Sequence, residues 1–225
     1  MDRVAEASSK SQGAYRLILG MITEGSLPAG ARINVAQLSG ELDMSAVPIR
    51  EALKLLEAEG LVEVLHNQGA RVAAFDPVEY KEASELHAVL EAYAARISQP
   101  TLPSGTIDAL RQANHDLREA FQDFEPHAFS EASIRFHSLL YAGCTNSALI
   151  ELLTKGRLRI AAMRSAQLAF TPRRMEILLR EHDEIIDMLE SGADGGQLEE
   201  ALRAHQILNL EDTLSRRVQL ANPLS

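Results

Sequence analysis

The sequence predicts a mainly α protein in two parts, and three observations carry the prediction. Apolar residues recur at helical spacing through most of the chain. The one strand-like stretch, residues 61–75, holds two short apolar runs around a glycine-bearing turn. Asp76-Pro77 then separates this mixed segment from a region in which only helical periodicity is found. Residues 1–75 are expected to form three helices plus a β-hairpin, and residues 76–225 an all-α bundle of six to seven helices.

Composition agrees. Of 225 residues, 46% are apolar and 24% charged, as in an ordinary globular protein. Tryptophan is absent and aromatics make up 4%, so leucine and alanine must fill the core. Cys144 is the single cysteine and has no internal partner, which suits a reducing cytosol. The N-terminus lacks the apolar run of a signal peptide, and no stretch reaches membrane-spanning length. A cytoplasmic location, away from membranes, is the expectation. The net charge of −10 argues against non-specific coating of nucleic acid. Residues 1–75 carry 7 basic and 9 acidic side chains, against 15 and 23 in the remainder, so the acidity lies mainly in the second part.

Residues 1–10 are polar and small and are expected to fray. Tyr15, Ile18, Leu19 and Ile22 then mark a helix over 12–24, broken by Gly25-Ser-Leu-Pro-Ala-Gly30. Asn34 can cap a helix over 35–42. After a turn at Asp43-Met44, Ser45 is placed to cap a third helix reaching Glu59, with Pro48 in its first turn and Gly60 as its C′ residue. Leu61–Leu65 and Arg71–Phe75 are the expected strands. Beyond the boundary, helices are expected over 78–98, 104–121, 126–142, 147–166, 172–190 and 197–217, separated by Pro100, Pro103, Pro126, Pro172 and the glycines at 192–196.

Three helices followed by a hairpin form the plan of a winged helix-turn-helix. Such a unit lays the N-terminal end of its third helix against base edges in the major groove. Here that end reads Ser45-Ala-Val-Pro-Ile-Arg50. Arg50 can pair with guanine or a phosphate, and Ser45 with a phosphate. Arg32 and Lys54 are further phosphate candidates, and His66, Asn67 and Gly69 suit a wing on the minor groove. These residues also have plain structural readings: serine caps helices without DNA, and Arg50 lies beside Glu51.

The motifs sharpen the choice. Leu27-Pro-Ala-Gly30, Ala36-Gln-Leu-Ser-Gly-Glu-Leu42, Pro48-Ile-Arg-Glu-Ala-Leu53, Leu56-Glu-Ala-Glu-Gly-Leu-Val62 and Asn67-Gln-Gly-Ala-Arg-Val72 together resemble the winged-helix domain of the GntR family of transcriptional regulators. The resemblance implies a dimeric repressor bound to a double-stranded operator. Members usually carry Arg then Thr after the serine, where this chain has Ala46 and Val47. Both positions commonly touch DNA in the family, so a different operator is implied. Val47 can still meet a thymine methyl.

Residues 78–217 resemble the FadR-type, or FCD, effector domain through Phe136-His137, Glu181-His182 and Ala204-His205. The histidines stand 45 and 23 residues apart. The resemblance implies that His137, His182 and His205 hold a divalent metal ion, zinc, nickel or similar, which helps bind a small carboxylate effector. Three imidazoles from three helices suit such an ion and leave positions open. Spacing alone does not establish that they converge. Ser133 stands where the family has a fourth, aspartate ligand. His87 stands where members often carry a carboxylate-gripping arginine, four residues before Glu91; a neutral imidazole cannot form arginine's bidentate fork. Arg164 is an alternative grip, and His87, Ser133 and Arg164 form the expected effector set. The competing readings are a metal-dependent hydrolase, disfavoured because no general base is evident beyond Glu181, and a ligand-independent DNA-binding or protein-interaction winged-helix protein with a degenerate sensing site.

Overall fold

The structure, a computed structural model, describes residues 2–65, 69–163 and 172–221, with side chains over 10–65, 69–125, 128–163 and 173–217. Contacts divide it into two units. The first is Met1–Tyr80 with the stretch that begins at Arg157; the second is Lys81–Gly156 with the last two helices.

In the first unit, α1 (Asp2–Thr23) is followed by β1 (Arg32–Ile33), α2 (Val35–Glu41), α3 (Ala46–Ala58), β2 (Val62–Leu65) and β3 (Gly69–Val72). Its core gathers Ile18 and Ile22 from α1, Leu38 from α2, Ile49, Leu53 and Leu56 from α3, and Leu61, Val62, Ala70 and Val72 from the hairpin region. Each fully buried Ile or Leu contributes about 1.5–3 kcal/mol. Asn34 caps α2 as expected, its Oδ1 accepting from the amides of Ala36 and Gln37 at 2.9 and 3.3 Å. Gly60 ends the α3 region with φ +72°.

Four expectations need correction. The helix over 12–24 begins at Asp2, where Ala5, Glu6 and Ala7 are strong helix formers. Ser45 occupies the N-cap of α3 with extended backbone, but its side chain makes no capping hydrogen bond. The second strand ends at Val72 rather than Phe75. The hairpin also gains a third strand: β1 pairs antiparallel with β3, giving the order β1-β3-β2. Two residues are too few to show a period of two, so β1 left no pattern to read.

Beyond β3 every described element is a helix. α4 (Pro77–Ser98), a 3₁₀ turn at Gln99–Thr101, α5 (Thr106–Gln122), α6 (Pro126–Leu140), α7 (Ser147–Met163), α8 (Pro172–Glu190) and α9 (Gly195–Ala221) complete the chain. Leu110, Ala113, Leu117 and Ala120 of α5 line up at helical spacing against Phe129, Phe136 and Leu140 of α6, Met175, Leu179 and Ile186 of α8 and Leu198 and Leu202 of α9. Among the described residues no helix is long and apolar enough to cross a membrane.

Candidate functional site

Arg32, Arg50, Lys54 and Gly69, four of the residues singled out in the sequence, line one open groove of about 800 Å³ in the first unit, with Asn34, Ala36, Val64 and Leu65. Its walls are α3 and the start of α2 on one side and the small sheet on the other. Arg32, Arg50 and Lys54 are exposed, as is Ser45; Ala46 is half-buried and Val47 is 63% exposed. An exposed valine at the open end of a helix serves no core. Gly69 has φ +85°, and a Cβ there would stand 2.7 Å from the Ile33 carbonyl oxygen, so only glycine lets β3 lie this close to β1. The pairing also sets Arg71 opposite Arg32 on one side and Glu63 on the other, a charged row that the sequence reading missed because it depends on β1. His66 and Asn67 lie outside the described residues.

The second unit buries polar groups instead. His137 of α6, His182 of α8 and His205 of α9 are 5%, 0% and 2% exposed. Their ligand-capable nitrogens all lie within 4.8 Å of one another. Phe136 stacks on the His182 ring at 3.8 Å between centroids and fixes its plane.

Hydrogen bonds fix where the protons sit. The Asn114 amide nitrogen donates to Asp183 Oδ1 at 2.6 Å and to the Leu179 carbonyl at 3.2 Å, so its oxygen must face His182 Nδ1, 3.1 Å away. His182 Nδ1 is therefore the donor and Nε2 carries a lone pair. Complete burial, and next the neighbouring His205 and His137, hold the His182 pKa well below its ordinary value and keep the ring neutral. His205 Nδ1 donates to Glu181 Oε2 at 2.7 Å. Burial pushes the Glu181 carboxyl toward protonation, but hydrogen bonds from His205 and Arg174 outweigh it and hold its pKa below the usual carboxylate value. Arg174 clamps Glu181 with two bonds of 3.0 Å. His137 Nδ1 lies 3.1 Å from the fully buried carboxylate of Glu91, which also accepts from Gln206.

This donor set fits a divalent metal. His182 Nε2 and His205 Nε2 are 3.3 Å apart and both are acceptors. Two imidazole nitrogens bound to one tetrahedral zinc ion at about 2.0–2.1 Å stand about 3.3 Å apart. Each ring also has the outer N–H partner that metal-bound histidines commonly use: Asn114, Glu181 and Glu91.

The expected effector residues are less gathered. Ser133 is half-buried, one turn before His137 on α6, and makes no side-chain hydrogen bond to the described residues. His87 is buried; its Nε2 lies 3.7 Å from Glu91 Oε1, and its Nδ1 has no partner among the described residues. Arg164 lies outside the described residues.

Known proteins supply the frame. Residues 10–72 match the family described as bacterial regulatory proteins, gntR family, and residues 82–207 match the FCD domain. The chain belongs to the GntR family, in its FCD-domain branch. As a GntR regulator it is a DNA-binding transcriptional regulator with an effector-binding domain, and not an enzyme. It is 27% identical over 184 residues to the "Probable D-xylose utilization operon transcriptional repressor" of Paenarthrobacter nicotinovorans, covering 82% of this chain and 80% of that one. It is 26% identical over 200 residues to the HTH-type transcriptional repressor RspR of Escherichia coli (strain K12), covering 87% and 85%. In fold it resembles E. coli McbR/YncC, with a TM-score of 0.83 at 18% identity over 92% of this chain and 98% of that one. A GntR regulator from Rhodococcus sp. RHA1 gives 0.77 at 21% identity over 92% and 98%.

Proposed function

We propose that this GntR regulator is a cytoplasmic homodimeric repressor that releases its operator when a small carboxylate-bearing effector occupies the second unit. In this reading residues 1–75 bind DNA, and residues 76–225 sense the effector and dimerise. Arg50 reads a guanine; Arg32, Lys54 and Ser45 hold phosphates; Ala46 and Val47 meet bases; and His66, Asn67 and Gly69 place the wing on the minor groove. Both curated relatives named above are repressors by name, which supports the sign of the response. A twofold operator needs a twofold protein. Leu86, Val89 and Tyr93 form one face of α4 and are 61%, 52% and 39% exposed, an apolar stripe suited to a second copy.

The observation that carries the sensing half is the pair of imidazole acceptors facing each other at 3.3 Å in a buried core. Two imidazole lone pairs at this distance suit a cation between them, and His182 Nε2 has no N–H or O–H donor on it among the described residues. His137, His182 and His205 would hold a zinc, nickel or similar ion, which when bound supplies a Lewis-acidic position for an effector oxygen. Glu91, Asn114 and Glu181 keep the Nδ1 protons in place. Phe136 keeps water from one face of His182. His87 and Ser133, with Arg164, complete the effector set.

The test is metal analysis of chain purified without chelators, beside His137→Ala. About one ion per chain is expected, lost in the variant. Metal-free protein that also shows no thermal shift with zinc or nickel would overturn the metal half of the reading. Operator binding unchanged across a panel of small carboxylates would overturn the effector half.

A further inference from the structure

Asn209 stands one helical turn after His205 on α9 and ties both ends of its amide into the histidine centre. Arg174 Nη2 donates to its Oδ1 at 2.6 Å, and its Nδ2 lies 3.1 Å from His205 Nε2. A guanidinium can only donate. The oxygen end of the amide must therefore face Arg174, and the nitrogen end must face the ring. Since His205 Nδ1 keeps its proton and donates that N–H to Glu181, the other ring nitrogen is an acceptor, and the Asn209 N–H already occupies it. That lone pair is the one a metal needs.

We propose that Asn209 is an amide latch on the metal site: in the metal-free protein it caps His205 Nε2, and an ion gains that imidazole only by displacing the amide. The inference rests on the metal reading of the three histidines. His182 shows the contrast. Among the described residues no amide or hydroxyl caps its Nε2, which faces only His205 Nε2. The latch thus acts on one ligand of the set. It biases the site toward weak, exchangeable binding, in the same direction as Ser133, which brings no carboxylate. A single net hydrogen bond sets the scale, so the latch weakens metal affinity about 2- to 10-fold. A carboxylate at the same position would reverse its sign, removing the donor and placing an oxygen ligand beside His205 Nε2.

The experiment is calorimetric titration of zinc into the full chain, stripped of metal, as wild type, Asn209→Ala, Asn209→Asp and His137→Ala. Asn209→Ala is expected to bind zinc about 2- to 10-fold more tightly than wild type at the same stoichiometry. Asn209→Asp is expected to bind more tightly still, and His137→Ala to lose the site. In metal-free wild type, the Asn209 side-chain amide resonances are expected to shift on adding zinc. Zinc binding by wild type that is unchanged or weakened in Asn209→Ala overturns the latch and leaves the metal reading standing. Amide resonances that ignore zinc bound by wild type overturn it too, even if the alanine variant does not fold. Failure of both wild type and Asn209→Asp to take zinc overturns the metal reading and the latch together.

Discussion

Arg32, Arg50 and Lys54 stand in water around an open groove, whereas His137, His182 and His205 meet inside a helical bundle with less than a tenth of each exposed. The groove sits on an apolar cluster to which its charges contribute nothing. In the bundle, the polar groups are themselves part of the core, and His137, His182 and His205 each pair one ring nitrogen with another buried or half-buried side chain. Exposed charges are screened by salt. Buried ones act as a set, because removing one member leaves another without a partner in a low-dielectric interior. The first arrangement suits a long polyanion met from outside; the second suits a small ligand held from all sides.

The strongest test of the buried set is Glu181→Ala. It takes away the carboxylate that clamps the Arg174 guanidinium, whose side chain is 9% exposed, and leaves His205 Nδ1 without its Glu181 acceptor. Breaking such a pair is expected to cost about 3–5 kcal/mol, read as a lower urea midpoint. Metal affinity should also fall, by about 10- to 100-fold. A loss below 1 kcal/mol would mean that solvent already screens the pair.

Gly69→Val tests the scaffold of the groove. The left-handed backbone and the 2.7 Å approach to Ile33 oxygen predict a loss of about 3 kcal/mol or more. Operator binding should fail with it. A variant as stable as the parent would show that β1 can move away from β3.

Arg50→Ala should cost about 1–3 kcal/mol in operator affinity and relax the preference at one base pair. Lys54→Ala should weaken all sequences alike and lower the slope of log affinity against log salt by about 1. The two variants should add to within about 0.5 kcal/mol if the groove charges act independently. Arg174→Met and Glu181→Ala, by contrast, should couple by about 0.5–3 kcal/mol, since losing both partners leaves no stranded charge. Strict additivity in the bundle would erase the distinction between the two regions.

The same contrast explains what the sequence disclosed. The helix-turn-helix elements, the hairpin and the six helices described beyond it were legible because each writes its own period. The three histidines were legible through flanking motifs, but only the fold brings them together. Asn114 left a signal that was passed over: a polar residue inside the stripe Leu110, Ala113, Leu117, Ala120. Arg174 and Asn209 left less. They stand two turns before Glu181 and one turn after His205, and these spacings mean something only once the inward face of each helix is known. β1 is too short to carry a pattern, and the row Arg32, Arg71, Glu63 vanishes without it.

The smallest expected effect concerns how α1 is tied to the end of α3. Tyr15 Oη donates to Glu59 Oε2 at 2.7 Å, and Glu59 is the C-cap of α3. Burial first, and then the hydrogen bond and charge of Glu59, raise the phenol pKa above its ordinary value. Tyr15→Phe keeps the ring and removes the bond, so a loss of about 1 kcal/mol is expected near pH 7. The sign at high pH follows from linkage. Above about pH 10 the unfolded tyrosine gives up its proton while the folded one keeps it. Wild type therefore loses stability on this account as pH rises past 10, and the phenylalanine variant, which has nothing to titrate there, does not. The gap between the two should be full below pH 10 and shrink above it, with the other tyrosines and the lysines cancelling in the difference. A gap that stays constant to pH 11 would mean that the phenol titrates alike in both states, and that Glu59 does not hold its proton.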